Sequence, residues 1–272
     1  MISKTVKINK KGELSFITFP KLSSCGAVRH AFTTRNGGVS KGFLSSMNMS
    51  FGRGDEIEAV KENYRRICEA VGISTSELVL SCQTHTDNVI GVTKEDCATG
   101  FDKPSFSDVD GLITDCEGVA LVTQYADCTP LLFCDPVRRV VANSHSGWRG
   151  TAKMIGAVTV EKMVKDYGCK RENIIAAIGP CICKNCYEVD DPVFEQFSDM
   201  PIDLGGVFTP VTENHYLLDL RLANKKILML AGIREDNIDI ADLCTCCESQ
   251  ELFSHRAMGN NRGNLAAIIA LK

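Results

Sequence analysis

Apolar and polar residues follow two different periods along this chain, and the changes between them predict its elements. Runs rich in β-branched and apolar residues between turn residues predict strands. These runs cover 14–19, 28–33, 78–82, 89–93, 110–114, 119–123, 173–179, 238–240 and 265–271. Apolar residues at a spacing of three and four predict helices over 55–72, 151–167, 192–197 and 218–232, whereas 97–107 and 199–216 are predicted to be irregular.

The central pattern is an apolar run, a turn and a second apolar run. The first run follows Cys128, the turn is Asp135-Pro136, and the second run ends at His145. We predict a hairpin here, because Asp and Pro are turn residues. A hairpin returns its end to its beginning, so this thiol and this imidazole are expected to be neighbours.

Predicted strands and helices are mixed along the chain without strict strand–helix alternation. No internal repeat, low-complexity segment or linker divides the 272 residues, a length that can bury one substantial core. We therefore predict the α/β class, with a single domain over residues 1–272 that has mixed β-sheet layers and flanking helices. A doubly wound fold is the less favoured alternative.

Charge and composition narrow the classes of partner. The net charge is −4 and no long run of Lys or Arg occurs, so a nucleic-acid surface is not indicated. No apolar run reaches the roughly 18 residues of a membrane span, and the N-terminal segment lacks a signal-peptide core. We expect a cytoplasmic protein with no membrane partner and no indicated protein partner. In the reducing cytoplasm, metal binding, catalysis or simple burial are more expected roles for the 14 cysteines than disulfides.

Three residues at predicted strand ends could form a metal site, namely His85, Cys128 and His145. Two imidazoles and a thiolate suit Zn²⁺, and three protein ligands leave a fourth position for water or substrate. The residues are 43 and 17 positions apart, which is no zinc-finger spacing, so spacing alone favours unrelated loop and core residues over a joint metal site. Cys128 with His145 as base would also suit a nucleophile pair.

Other polar residues near these positions have two interpretations each. Arg35 and Arg149 stand at junctions between loops and elements, where a guanidinium could bind phosphate or form a structural salt bridge. Asp127 could orient a ligand histidine or a water, or it could cap a turn. For Trp148, core packing is preferred over stacking on a base.

Two cysteine-rich segments raise the question of a second soft-metal site. They contain Cys181, Cys183 and Cys186, and Cys244, Cys246 and Cys247. The first segment has a Cys-x-Cys-x-x-Cys spacing that resembles ligand spacing. Reduced thiols are the alternative in a reducing compartment, so a second metal stays open.

Six motifs together carry a family resemblance over nearly the whole chain. They are 33–40, Gln83-Thr84-His85, Ala126-Asp127-Cys128-Thr129-Pro130, 145–151, Ile178-Gly179-Pro180 with Tyr187-Glu188-Val189, and Phe253-Ser254-His255-Arg256. With these motifs the chain resembles the family long labelled multicopper polyphenol oxidase or laccase-domain proteins. Members of that family are now described as purine nucleoside phosphorylases with adenosine deaminase activity.

The resemblance implies a site and an activity. It places one Zn²⁺ on His85, Cys128 and His145, with copper as the alternative metal. It implies phosphorolysis of adenosine and inosine, with methylthioadenosine as a further candidate substrate, and it makes nucleoside and phosphate the small-molecule partners. The chain departs from the family pattern at Ser146, where Ala is usual, and at His255, where Tyr is usual.

We assign six further residues to the site. The expected catalytic residues are Asp127, Arg149 and Arg35, and the expected substrate-binding residues are Asn48, Gln83 and Arg256. Three rival functions remain open. They are copper-dependent polyphenol oxidation, a Cys–His hydrolase or amidase, and a non-catalytic metal-binding or redox-sensing protein. With five histidines in the chain, a set of His-rich copper sites is physically poor.

Overall fold

The computed structural model describes residues 1–97 and 106–272, which form β-sheets with helices around them. The strands are β1 Lys7–Lys11, β2 Leu14–Thr18, β3 Val28–Thr33, β4 Leu78–Cys82, β5 Val89–Gly91, β6 Phe106–Ser107, β7 Gly111–Thr114, β8 Ala120–Tyr125, β9 Thr129–Asp135, β10 Val140–Ser146, β11 Ile175–Ile178, β12 Glu188–Asp190, β13 Phe208–Thr212, β14 His215–Leu218, β15 Ile238–Ile240 and β16 Leu265–Leu271. The helices are α1 Pro20–Ser24, α2 Ile57–Val71, α3 Trp148–Ala152, α4 Ile155–Tyr167, α5 Asp191–Ser198, α6 Leu220–Leu230 and α7 His255–Met258. Within these described ranges, no helix has both the length and the apolar character that crossing a bilayer requires.

The strands form three sheets of mixed direction. Seven strands follow the order β1-β2-β3-β16-β8-β4-β6, six follow β15-β11-β9-β10-β7-β5, and three follow β12-β14-β13. Most neighbours are antiparallel, but β4 is parallel to β8 and β6, β5 is parallel to β7, and β11 is parallel to β15. The predicted α/β class with mixed β-sheet layers and flanking helices is confirmed.

The two large sheets pack face to face because their central strands are apolar on both sides. In β8, Leu121 belongs to the core between the sheets, whereas Val122 belongs to the core shared with α2. In β9, Leu132 lies in the core between the sheets, and Phe133 belongs to the core shared with α4 and α6. Successive strand residues face opposite sides of a sheet. These three cores therefore separate four layers, namely α2, the two large sheets, and the pair of helices α4 and α6. A fourth core joins the small sheet to α5 and α6.

The predicted hairpin of β9 and β10 is confirmed, and its register explains what meets at its open end. His145 pairs with Pro130, and Ser146 pairs with Thr129. His145 therefore lies inside β10, one residue before its end, and Cys128 lies immediately before β9. The thiol and the imidazole are neighbours across the hairpin, as the turn residues predicted.

The structure differs from the predicted elements where the apolar pattern was weak or continuous. The helix expected over 151–167 is two helices, because Met154 takes a left-handed conformation with φ 59° between α3 and α4. Segment 199–216, predicted to be irregular, contains β13 and the start of β14. The residues of β13 are half-buried or exposed and so show no apolar alternation. Of the loop predicted over 97–107, residues 98–105 lie outside the described part of the chain.

His30 on β3 is a buried histidine at the edge of the core between the sheets. Its Nε2 accepts the backbone N–H of Phe19 at 2.8 Å, and the two rings stack with centroids 5.9 Å apart. Burial is the main cause that lowers the pKa of His30 from 6.5 to about 4. The folded protein therefore keeps this imidazole neutral at pH values where the unfolded chain protonates it.

We expect this histidine to make the fold less stable as the pH falls from 6.5 toward 4. In that window the unfolded chain binds the extra proton, so the free energy of unfolding decreases with acidification. The replacement His30→Gln keeps an acceptor but cannot titrate, and it should remove up to about 3 kcal/mol of this pH dependence. Urea unfolding from pH 4 to 8 measures it, with His215→Gln on the exposed side of β14 as control. Equal slopes for wild type and His30→Gln would contradict the assignment.

Candidate active site

The three expected metal ligands meet where the open end of the β9–β10 hairpin approaches the loop after β4. The donor atoms of His85, Cys128 and His145 all lie within 4.8 Å of one another. Sγ of Cys128 is 3.8 Å from Nε2 of His85, and the two imidazole centroids are 4.9 Å apart. A tetrahedral Zn²⁺ ion would hold sulfur and nitrogen roughly 3.6 Å apart, so this spacing fits one ion.

Gly147 makes room for this cluster. A Cβ atom at this position would lie 2.7 Å from Cδ2 of His85 and 2.9 Å from Sγ of Cys128. Both distances are shorter than real Cβ contacts, so only glycine lets the backbone pass beside the two side chains. His85 itself has a left-handed backbone with φ 66°, a conformation that non-glycine residues adopt mainly at special sites.

Asp110 fixes both histidines and was not identified from the sequence. Its carboxylate is fully buried and accepts the backbone N–H of His85 at 3.1 Å and of Thr86 at 2.8 Å. It also accepts a hydrogen bond from Nδ1 of His145 at 2.8 Å. Because Nδ1 donates to this carboxylate, Nε2 is the nitrogen of His145 that would bind a metal after releasing its own proton. The sequence feature that could have identified Asp110 is a charged residue directly before the apolar strand β7.

Opposing effects set the charge states of the cluster. Burial raises the pKa of Asp110, but hydrogen bonds from His145 and Thr86 outweigh it and bring the pKa to about 2. Burial also opposes ionisation of Cys128, yet the neighbouring His145 and His85 lower its pKa to about 6. Burial lowers the pKa of His145, while the thiolate and Asp110 raise it to about 9. The thiolate, which is the form of cysteine that binds metals, is thus favoured at neutral pH.

Two cavities flank the cluster, and His85 and Cys128 border both. Their volumes are about 410 and 450 Å³, within the range of small-molecule sites. Prominent lining residues of the first are Phe51, Gln83, Gln124, Arg262 and Asn264. Those of the second are Asp127, Trp148, Arg149, Tyr187, His255, Arg256 and Arg262. The cluster thus lies where two spaces for small molecules adjoin.

The second cavity is cationic. The guanidinium of Arg149 lies 4.1 Å from the centroid of the Trp148 ring, and that of Arg256 lies 5.2 Å from the centroid of Tyr187. Arg262 is partly buried, which lowers its pKa to about 10 and leaves it charged at neutral pH. Of these cations, the sequence analysis assigned Arg149 and Arg256 to the site but not Arg262. Three planar guanidinium groups in one wall suit a phosphate-like anion.

Asp127 lies in the wall of the second cavity but does not orient a ligand histidine. Its Oδ1 accepts the hydroxyl of Thr245 at 2.6 Å, and its Oδ2 accepts the backbone N–H of Arg256 at 2.6 Å. Asp110 holds the histidines instead, so that interpretation of Asp127 is corrected. The carboxylate of Asp127 joins two loops of the cavity wall.

Arg35 is not brought to either cavity. Its Nε donates to the carbonyl of Ser45 at 3.0 Å and one terminal nitrogen donates to the carbonyl of Ser249 at 2.8 Å. The backbone N–H groups of Gly38 and Val39, in the loop expected to face an anion, donate to neighbouring side chains. The Arg35 guanidinium therefore ties this loop to the segment before α7.

The two expected amide side chains have different positions. Asn48 is fully buried, donates to Asp55 at 2.9 Å and accepts the backbone N–H of Asn264 at 3.0 Å, so it holds loops together and lines neither cavity. Gln83 lines the first cavity, where its amide exchanges hydrogen bonds with the backbone of Gln124 at 2.8 and 2.9 Å. The structure thus groups Gln83, but not Asn48, with the metal ligands.

Comparisons with known proteins agree over almost the full length. Residues 29–272 match the family model described as multi-copper polyphenol oxidoreductase laccase. Purine nucleoside phosphorylase YlmD of Bacillus subtilis is 33% identical over 243 residues, which cover 89% of this chain and 87% of the relative. Adenosine deaminase RL5 from an unknown prokaryotic organism is 33% identical over 238 residues, 86% of this chain and 90% of the relative. The crystal structure of the Bacillus licheniformis hypothetical protein YfiH superposes with a TM-score of 0.91 at 32% identity, covering 97% of this chain and 99% of that one.

Proposed function

The chain belongs to the multi-copper polyphenol oxidoreductase laccase family, and from this premise we propose that it is a metal-dependent purine nucleoside phosphorylase that also deaminates adenosine. The names of the relatives support both activities. The observation that carries the proposal is the cavity with three guanidinium groups that borders His85 and Cys128. In this proposal residues 1–272 act as one domain.

Phosphorolysis requires an anion to be positioned against the sugar. An oxygen of phosphate forms a bond to C1′ of the ribose, and the C1′–N9 bond breaks with its electron pair passing to the base. The base takes up a proton, and the products are free base and ribose 1-phosphate. Arg149, Arg256 and Arg262 would hold the phosphate and offset its charge, which is the main contribution that positioned cations make to such a reaction.

Deamination uses water instead of phosphate as the nucleophile, and we place this reaction beside His85, Cys128 and His145. Water adds its oxygen at C6 of adenine, the amino group leaves as ammonia, and inosine is formed from adenosine. A Zn²⁺ ion held by His85, Cys128 and His145 would supply Lewis-acid chemistry at this point. The part of Asp110 is to keep the proton of His145 on Nδ1 and the loop of His85 in place.

We propose zinc because the donor set suits it and because histidines for further copper sites are lacking. Two imidazoles and one thiolate also occur in blue copper sites, so one copper ion would fit the donors. A laccase needs several copper sites, however. The other histidines are His30, His215 and His255, and none of them belongs to a ligand group among residues 1–97 and 106–272. Copper-dependent phenol oxidation is therefore poorly supported.

A cysteine hydrolase remains the second candidate because of one arrangement. Nδ1 of His145 donates to Asp110, and His145 also lies beside the Cys128 thiol, as in a Cys–His–Asp triad. Such a triad gives no role to His85, whose Nε2 lies 3.8 Å from the same sulfur. The second imidazole favours the metal site over the hydrolase.

The experiment that tests the proposed function is base release from inosine across a phosphate titration. Lys keeps the charge of Arg but loses its two-pronged geometry, so Arg149→Lys should raise the apparent KM for phosphate about tenfold. Arg35→Lys is the matched control, because Arg35 lies outside the cavities and should leave this KM unchanged. Equal base release without phosphate would show hydrolysis. If Arg35→Lys raised this KM and Arg149→Lys did not, the phosphate site would lie at the loop of Gly38 and Val39 and not in the second cavity.

We also propose a cytoplasmic location. All 14 cysteines are free of disulfide bonds in the structure, although the sulfurs of Cys186 and Cys247 lie only 3.5 Å apart. Free thiols in this number fit a reducing compartment. A nucleoside and phosphate are the partners that the two cavities suit.

A further inference from the structure

Four cysteines far from the β9–β10 hairpin in sequence converge on one point. Cys183 and Cys186 lie between β11 and β12, and Cys244 and Cys247 lie after β15. Their sulfur atoms are all within 4.8 Å of one another. We propose that these four thiolates bind one zinc ion, which is a second metal site with a structural role.

The distances between the sulfurs fit a single tetrahedral ion. Sγ of Cys247 lies 3.5 Å from Sγ of Cys186 and 4.0 Å from Sγ of Cys183. Four sulfurs at about 2.3 Å from zinc lie roughly 3.8 Å from one another. The sulfurs of a disulfide are bonded at about 2.05 Å, so the observed spacing excludes a disulfide and fits ligands around one ion.

The structure also selects between the six cysteines of the two segments. Cys183 with Cys186, and Cys244 with Cys247, are both Cys-x-x-Cys pairs, the spacing common in structural zinc sites. Cys181 and Cys246 are not part of the group. Cys181 is buried and forms a parallel backbone bridge with Cys244, which aligns the two segments. Of the Cys-x-Cys-x-x-Cys spacing in the first segment, only the Cys-x-x-Cys part, Cys183 with Cys186, therefore belongs to the proposed ligand set.

Backbone groups are directed at one of the sulfurs. The N–H groups of Cys183 and Cys247 donate to Sγ of Cys244 at 3.2 and 3.4 Å. Such donors stabilise a charged sulfur. Four thiolates at these distances repel one another, and a divalent cation among them offsets that repulsion.

The proposed ion would secure the wall of the second cavity. Tyr187 follows Cys186 directly and lines that cavity, and Arg256 donates to the carbonyl of Cys186 at 3.2 Å. Thr245 follows Cys244 and donates to Asp127 at 2.6 Å. Residues 181–187 contain only a short 3₁₀ turn as regular structure, so their position depends on cross-links to other segments. The zinc would act on the cavity by holding these loops together.

The test is to count metal ions in the purified full-length chain by elemental analysis. Wild type should hold two zinc ions, Cys247→Ser one, and Cys246→Ser two. The last variant is the matched control, because it makes the same change at the adjacent residue outside the group. His145→Ala should also hold one ion, and its cobalt-substituted form should keep the intense thiolate-to-cobalt absorption of a four-sulfur site. These counts do not depend on the proposed reaction, so the two proposals fail separately.

A second measurement uses wild type alone, so it tests the site even where Cys247→Ser fails to fold. In wild type, alkylation by iodoacetamide followed by mass spectrometry should find Cys183, Cys186 and Cys247 protected until a chelator is added. The same zinc count in wild type and Cys247→Ser would overturn the site. Disulfides among the four cysteines in protein kept under reducing conditions, or iron in place of zinc, would overturn the zinc assignment.

Discussion

Replacing Cys128 by serine should leave the chain with one zinc ion fewer than wild type and lower ammonia release from adenosine by roughly a thousandfold or more. The serine hydroxyl is a poor ligand at neutral pH, because unlike the Cys128 thiol it does not ionise there. A thousandfold loss corresponds to about 4 kcal/mol of transition-state stabilisation, which is within what a Lewis-acid metal supplies. Elemental analysis and an assay of ammonia release from adenosine on the same preparation would measure both effects.

The control for this prediction is Cys116→Ser, the same change at a half-buried cysteine that borders neither cavity. It should keep the metal and the activity. An unchanged zinc content in Cys128→Ser would remove this residue from the ligand set. An intense blue absorption in wild type, with oxygen consumption on phenols that follows copper content, would instead support the oxidase.

Replacing Asp110 by asparagine should damage both the fold and the metal site. The carboxylate accepts hydrogen bonds from three consecutive backbone N–H groups, those of Thr84, His85 and Thr86, and from His145. An asparagine amide would turn its NH₂ group toward some of these donors. Breaking such a buried network costs about 3 to 5 kcal/mol, and losing a partner of a ligand histidine weakens metal binding roughly 10- to 100-fold.

Asp108→Asn tests whether this effect belongs to the site. Asp108 lies two residues away and accepts a hydrogen bond from the hydroxyl of Thr84, but it is exposed. Its left-handed φ of 56° is a conformation that asparagine also tolerates. Chelator titration of the metal and urea unfolding should separate the two variants clearly. If they behave alike, Asp110 has no special role toward the histidines.

The sequence predicted the parts of the site that depend on local pattern. Cys128 and His145 were placed together because a turn joins two apolar runs, and the register of the hairpin then brings their neighbours Thr129 and Ser146 opposite each other. The face-to-face sheets follow from strands that are apolar on both sides. His85 was grouped with them because it follows a predicted strand and has a suitable donor atom, and the family resemblance then favoured this group over unrelated residues.

Residues whose role depends on distant contacts could not be assigned in this way. Asp110 resembles any aspartate at a strand start until the loop after β4 places backbone N–H groups around it. Arg262 borders both cavities only because β16 returns the chain to the centre of the seven-stranded sheet. Arg35 looked equivalent to Arg149 in sequence, but carbonyl groups of Ser45 and Ser249 satisfy it.

His85 and His145 follow or belong to strands of different sheets, and this affects when a metal can bind them during folding. His85 follows a strand of the seven-stranded sheet, whereas His145 belongs to the six-stranded sheet, so their imidazoles meet only after the two sheets have packed. The unfolded chain offers no chelating pair at this site, and closing loops of such length costs entropy before any metal bond forms. Cys183 and Cys186, three positions apart, need in contrast only a local turn of the chain to share one ion. We therefore expect the proposed tetrathiolate metal to bind earlier in folding than a metal at His85, Cys128 and His145.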